Sequence, residues 1–155
     1  MCNQTLLLQE LLQTSNAIGI TATIEALRSI RTTVQKDKIV NFMLDLCSNE
    51  FKLSKDDIIF SNAKTDARKF ALMFLAYHLN KTFYMPIRHI NIYALPKKSK
   101  SQIERYIIAY KQTDFNKLKT SYDKKLREHY LNIQAQITAY QDGNQQKRNS
   151  TEQQC

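Results

Sequence analysis

Two glycines and two prolines among 155 residues, and no tryptophan, leave little material for tight turns. An all-β chain of many short strands needs turn residues at each reversal, and a phosphate-cradling enzyme loop needs glycines in number. What remains is an all-α composition. Cysteine is almost as sparse: Cys2, Cys47 and Cys155 are odd in number, far apart and without C-x-x-C spacing. That argues against a disulfide framework or a zinc site and fits a reducing, cytoplasmic setting. No P-loop, G-x-S-x-G or H-E-x-x-H motif occurs, and His78, His89 and His129 fall in three different expected helices. The chain is therefore expected not to be an enzyme, and to use neither metal nor cofactor. No run approaches the roughly 20 apolar residues of a bilayer span, and "MCNQTLLLQELLQ" has a leucine cluster without a basic leader. The expectation is a soluble protein without a membrane partner.

What is present in quantity is apolar residue, 43% of the chain, and positive charge, a formal +9 with a pI near 9.5. The first supports one compact domain with a core. The second favours a polyanionic partner such as nucleic acid or an acidic membrane.

Apolar periodicity organises the chain into helices. Leu6, Leu7, Leu8, Leu11 and Leu12 form a short amphipathic segment interrupted at Asn16 and Gly19. Ile20, Ile24, Leu27, Ile30 and Val34 share a face of a second helix, and Val40, Met43, Leu44, Cys47 and Phe51 define a third. Ser54 and Asp57 have capping-box spacing for a short helix through "SKDDII", and residues 65 to 80 read as the main core helix, with His78 on its apolar stripe. Pro86 suits a first helical turn, opening a helix of about 86 to 95 that Leu95-Pro96 ends. Ser99 and Gln102 again have capping-box spacing, for a helix of about 99 to 112. After a cap at Thr113-Asp114, Phe115, Leu118, Tyr122, Leu126, His129, Ile133, Ile137 and Tyr140 mark a long last helix. The domain plan is a helical segment at 1–36 packing on the core, a helical domain at 37–140, and a disordered polar tail at 141–155.

Charge concentrates late. From Lys97 to Arg127 there are ten basic residues against three acidic ones, so most of the net charge sits there. Lys97, Lys98 and Lys100 lie at the start of the helix near 99, where backbone N–H groups and the positive end of the dipole also face. Two helices joined by a short turn, the second presenting polar N-terminal residues, follow the helix-turn-helix plan at about 86–112. Lys97, Lys98 and Lys100 are then phosphate contacts, and Ser101, Gln102 and Arg105 are the base-facing candidates, because Gln and Arg can pair with base edges through two hydrogen bonds.

The order of pieces from Ile39 to Ile133 resembles the C-terminal DNA-binding domain of the bacterial replication initiator DnaA, a Trp-repressor-like helix-turn-helix fold. The motifs that carry the likeness are Leu53-Ser54 with Asp57-Ile58, then Lys64, then Ala67-Arg68 with Ala71, followed by the helix pair and a closing helix at "DFNKL". The resemblance implies an all-α multi-helix bundle and adds Lys64 and Arg68 to the phosphate contacts. The family's recognition helix opens with Gly-Arg-Asp-His-Thr-Thr, where this chain has Lys97-Lys98-Ser99-Lys100-Ser101-Gln102. The initiator's sequence specificity is therefore not implied.

The sequence thus predicts a DNA-binding helix-turn-helix protein of replication-initiator-like or transcription-regulator-like type, with double-stranded DNA as partner. The second reading is a helical protein-interaction module without DNA binding, including a homodimer formed through the long C-terminal helix.

Overall fold

In the computed structural model, residues 2–115 and 120–152 are described, and every regular element among them is helical. The chain forms two compact units, Met1–Lys38 and Ile39–Cys155, against the cut expected after residue 36.

The first unit contains α1 (Cys2–Ile18) and the opening part of α2 (Ile20–Phe51). Gly19 separates the two helices with φ +87, a left-handed conformation that a side chain would resist. Leu6, Leu7, Leu8 and Leu12, and Ile20, Ile24, Leu27, Ile30 and Val34 farther on, are exposed. The two helices expected on either side of residue 37 are one helix. The intervening "VQKDK" has no glycine or proline, and extending a formed helix adds a backbone hydrogen bond per residue fixed.

The second unit holds the core. The remainder of α2 lays Val40, Met43, Leu44 and Cys47 inward, ending in a left-handed residue, Lys52 (φ 55), with the Leu53 N–H donating to the Ser48 carbonyl. That 6→1 bond satisfies one of the carbonyls a helix end leaves free. The short α3 (Lys55–Ile59) is capped by Ser54, whose Oγ accepts from the Asp57 N–H at 3.0 Å and donates to the Asp57 carboxylate at 2.7 Å. The expected reciprocal half of the box, a bond back to the cap's own N–H, is replaced by this hydroxyl–carboxylate bond.

The central helix α4 (Asp66–Tyr77) is buried along its length from Ala71 to Ala76. It is shorter than the expected span because the chain widens into a π turn, His78–Thr82, with Phe83 N–H donating to the His78 carbonyl at 3.0 Å. The turn is closed by the Asn80 side-chain amide on the Met85 carbonyl. Then come α5 (Ile87–Tyr93), α6 (Lys100–Gln112) and α7 (Ser121–Glu152). Thr113 closes α6, its hydroxyl donating to the Ala109 carbonyl, so it does not open the last helix as expected; Leu118 lies outside the described residues. The backbone of α7 continues past Tyr140 to Glu152, over the segment expected as a disordered tail. Gln, Lys and Arg are good helix formers, and Gly143 is accommodated in open space.

The stripe of α7 is spent on its own domain. Leu126, Ile133 and Ile137 are buried, Tyr140 stacks on Phe42 at 4.0 Å, and His129 Nδ1 lies 2.7 Å from the Glu50 carboxylate.

An aromatic cluster joins α4, α6 and α7. Tyr77 stacks on Tyr110 at 3.9 Å, Phe74 meets Tyr110 edge-on at 5.0 Å, and Phe115 stacks on Tyr130 at 4.5 Å. Within it His78, 1% exposed, has Thr82 Oγ1 at 2.9 Å from Nδ1, and Tyr110 OH and the Gln134 amide at 3.1 and 3.3 Å from Nε2. His78 is thus a satisfied core residue. Burial pushes its pKa from an ordinary 6.5 down to about 4. Below pH 6.5 the unfolded chain takes up a proton that the folded one refuses. The stability linked to His78 is therefore complete above pH 6.5 and is lost as pH falls toward 4. The loss between pH 7 and 5, before carboxylates titrate, is about 2 kcal/mol. Urea unfolding at the two pH values should show this drop, and a His78→Gln variant should flatten it; an equal drop in the variant would assign it elsewhere.

Candidate nucleic-acid interface

The turn between α5 and α6 is a held structure. Leu95 is fully buried and anchors it, the Lys98 N–H donates to the Leu95 carbonyl at 3.0 Å, and the Asn91 side-chain amide donates to the carbonyls of Leu95 and Lys98. Asn91, half-buried on α5, therefore fixes the lysine-bearing tip from below. Its type and place, an asparagine seven residues before a lysine, gave no signal in the sequence.

Ser99 opens α6 with an extended backbone (φ −71, ψ 160) and a complete capping box. Its Oγ accepts from the Gln102 N–H at 3.3 Å, and its own N–H donates to Gln102 Oε1 at 2.9 Å. Ile103, Ile107 and Tyr110 turn inward, while Lys100, Ser101, Gln102, Glu104 and Arg105 are exposed. Gln102, expected to face bases with both ends of its amide, has its oxygen committed to the cap and retains only the NH2 group as an outward donor. Ser101 Oγ lies 3.1 Å from Ser99 Oγ and shares in the same cap. Of the three base-facing candidates, Arg105 alone takes no part in the Ser99 cap, and its side chain is exposed.

Lys97 extends over the Phe60 ring, with Nζ 5.2 Å from its centroid, a cation–π contact that ties the tip to the end of α3. Lys98 is half-buried and belongs to a cavity of about 320 Å³ beneath the tip. The cavity is also lined by Lys64, Asp66, Arg68 and Lys69, from the linker into α4 and its first turn, and by Leu72 and Tyr106. Residues some thirty positions apart in sequence, Lys64 and Lys98, are thus brought to one concavity. Lys69, which sequence reasoning missed, joins them; its signal was its position one residue after Arg68, five after Lys64.

Arg68 corrects an expectation. It was to touch phosphate, yet it is 6% exposed and its guanidinium donates to three backbone carbonyls: Nε to Asp57 at 2.7 Å, Nη2 to Ile58 at 3.1 Å, and Nη1 to Ala63 at 3.4 Å. It holds the end of α3 and the following loop against α4. Its donors are turned to the backbone, but its charge has no carboxylate within ion-pair distance among the described residues. The effect reaches Lys98, whose pKa is lowered by burial and by repulsion from Arg68. No carboxylate pairs with Lys64, Lys69, Lys97, Lys98 or Lys100 among the described residues either.

No group of His, Cys, Asp and Glu suited to a metal occurs among the described residues, and no helix among them is long and apolar enough to cross a membrane. Comparison with protein-family models, with curated proteins and with solved structures finds no match to this chain.

Proposed function

We infer that this chain is a DNA-binding protein of helix-turn-helix type, acting in the cytoplasm in replication initiation or transcription rather than in catalysis. The observation that supports it best is the gathering of unpaired cations from two distant segments, Lys64 and Lys69 with Lys97, Lys98 and Lys100, around the capped N-terminus of α6. Duplex DNA presents phosphates at a spacing that such a lysine-bearing edge can neutralise, and a helix N-terminus favours the same charge. Lys97, Lys98 and Lys100 neutralise backbone phosphates, and Arg105 is the residue placed to reach a base edge.

Titration of random-sequence duplex DNA at two salt concentrations tests this reading. Three neutralised phosphates give a log–log slope near −2.7, so affinity should fall roughly 40-fold for a fourfold rise in salt. Absence of binding at the lower salt, or binding that ignores salt, would sink it.

The second reading, a protein-interaction module, draws on the exposed aliphatic residues of the first unit, such as Leu8, Leu27 and Ile30. A large apolar surface of this kind marks protein contacts more often than nucleic-acid ones. Salt-insensitive association without DNA retention would favour it.

A further inference from the structure

We propose that the cavity beneath the α5–α6 turn is a discrete site for one phosphoryl group, held by Lys64, Lys69 and Lys98 above the buried charge of Arg68. The proposal rests on reading this face as phosphate-facing, but not on the phosphate belonging to a duplex.

Arg68 carries a buried positive charge. A buried charge is ordinarily paired, because removing it from water without compensation is costly. Here three carbonyls satisfy the guanidinium's donors but supply only partial negative charge, and the full positive charge stays at the cavity lining. The fold then adds to that charge instead of neutralising it. Lys98 is held half-buried by a turn that Asn91 and Leu95 fix, and Lys64 and Lys69 line the same concavity. Against these four cations the lining supplies one carboxylate, Asp66. Like charges confined in a concavity of low-dielectric walls, here Leu72 and Tyr106, focus a positive field and raise the local concentration of an anion.

Size and geometry narrow the class of anion. About 320 Å³ is room for roughly ten water molecules, enough for a tetrahedral phosphoryl group with part of its hydration shell. Lysines are compact point charges on flexible stems and suit the separate oxygens of a phosphoryl group approached from several sides. Arg68 contacts no ligand in this arrangement and acts as a positioning and field-setting residue. Two sources share the chemistry: a phosphodiester of a DNA backbone, and a free phosphoryl group such as inorganic phosphate.

The test is an NMR titration of the whole ¹⁵N-labelled chain with inorganic phosphate at constant ionic strength, using chloride as the balancing ion. Saturable shifts are expected in the amides of residues 62–69 and 97–99. A Lys64→Gln/Lys98→Gln variant, changed only at residues outside the core, should weaken the apparent Kd about tenfold, a change of about 1.4 kcal/mol. Chloride reproducing the shifts, no saturation, or equal affinity in the variant would each overturn the proposal. A second arm adds duplex DNA. Displacement of phosphate by DNA identifies the backbone as the source, while phosphate binding without any DNA binding keeps the pocket and removes the DNA reading. DNA binding with no phosphate response keeps the DNA reading and removes the pocket.

Discussion

Replacing Arg68 with methionine is expected to destabilise the domain by about 3 kcal/mol, a balance between lost charge-assisted hydrogen bonds and relief of a buried charge. Methionine keeps much of the aliphatic stem that passes between α3 and α4, so packing changes little. What disappears is the fork that satisfies the carbonyls of Asp57, Ile58 and Ala63 from one side chain. The relief of desolvation, and of repulsion with Lys98, offsets part of the loss, which is why the expected figure lies below the sum of three charged hydrogen bonds. Arg68→Lys should recover little, because an ammonium on a flexible stem cannot reach three carbonyls with a fixed geometry. Denaturant midpoints measure the global effect, and hydrogen exchange locates it. Amides of residues 58–65 should lose protection before those of the α4 interior. A midpoint within about 0.5 kcal/mol of the parent, the range of an ordinary surface change, would mean that the three bonds contribute nothing net.

The fate of Arg68 also shows where sequence reasoning stops. Its expected role came from the family resemblance carried by Ala67-Arg68 with Ala71, an A-R-x-x-A helix that follows a basic linker. Motif and helix register place the residue correctly at the first turn of α4, but they do not say whether a long side chain bends outward to solvent or inward to free carbonyls. That choice depends on the loop at 60–65, whose path leaves the Ala63 carbonyl within reach of the guanidinium. The helices themselves were legible because their apolar residues recur at three and four positions. Ile103, Ile107 and Tyr110 are buried, as their spacing requires, and Ser99 caps α6 through the Gln102 pairing that its offset suggested. The π turn at His78–Thr82 was not legible. Its fifth-neighbour bonds compete closely with ordinary helical ones, and tertiary contacts of His78 with Tyr110 and Gln134 accompany the outcome.

The same division holds for the candidate site. The lysines at 97, 98 and 100 were visible as a charge run at a helix start. Their convergence with Lys64 and Lys69 was not, because it depends on how α4 and α6 pack, which no local pattern states. Conversely, the capping box that the sequence did show takes Gln102's oxygen away from the base-reading role assigned to it. A residue satisfying a helix end has fewer groups left for a ligand, and the burden of base contact passes to Arg105 and to whatever Ser101 can offer beyond its contact with Ser99.

A triple variant, Lys97→Glu, Lys98→Glu and Lys100→Glu, is expected to lower affinity for duplex DNA about a hundredfold or more at low salt and to reduce the log–log salt slope by about 3. The decisive property of this variant is that folding should survive it. Lys97 and Lys100 are exposed, and the contact that Lys97 makes with Phe60 contributes about 0.5–1 kcal/mol at an open site. Lys100 is the first residue of α6, where a carboxylate interacts favourably with the helix dipole. A glutamate at position 98 exchanges repulsion from Arg68 for attraction, and the bonds that fix the turn run to the backbone carbonyls of Leu95 and Lys98, which substitution leaves in place. The stability terms therefore nearly cancel while the charge facing a polyanion changes by six. Thermal unfolding and DNA titration on the same preparation separate the two effects. Lost binding with an unchanged melting temperature assigns DNA contact to this tip, whereas undiminished binding by a folded triple variant removes the tip from the interface.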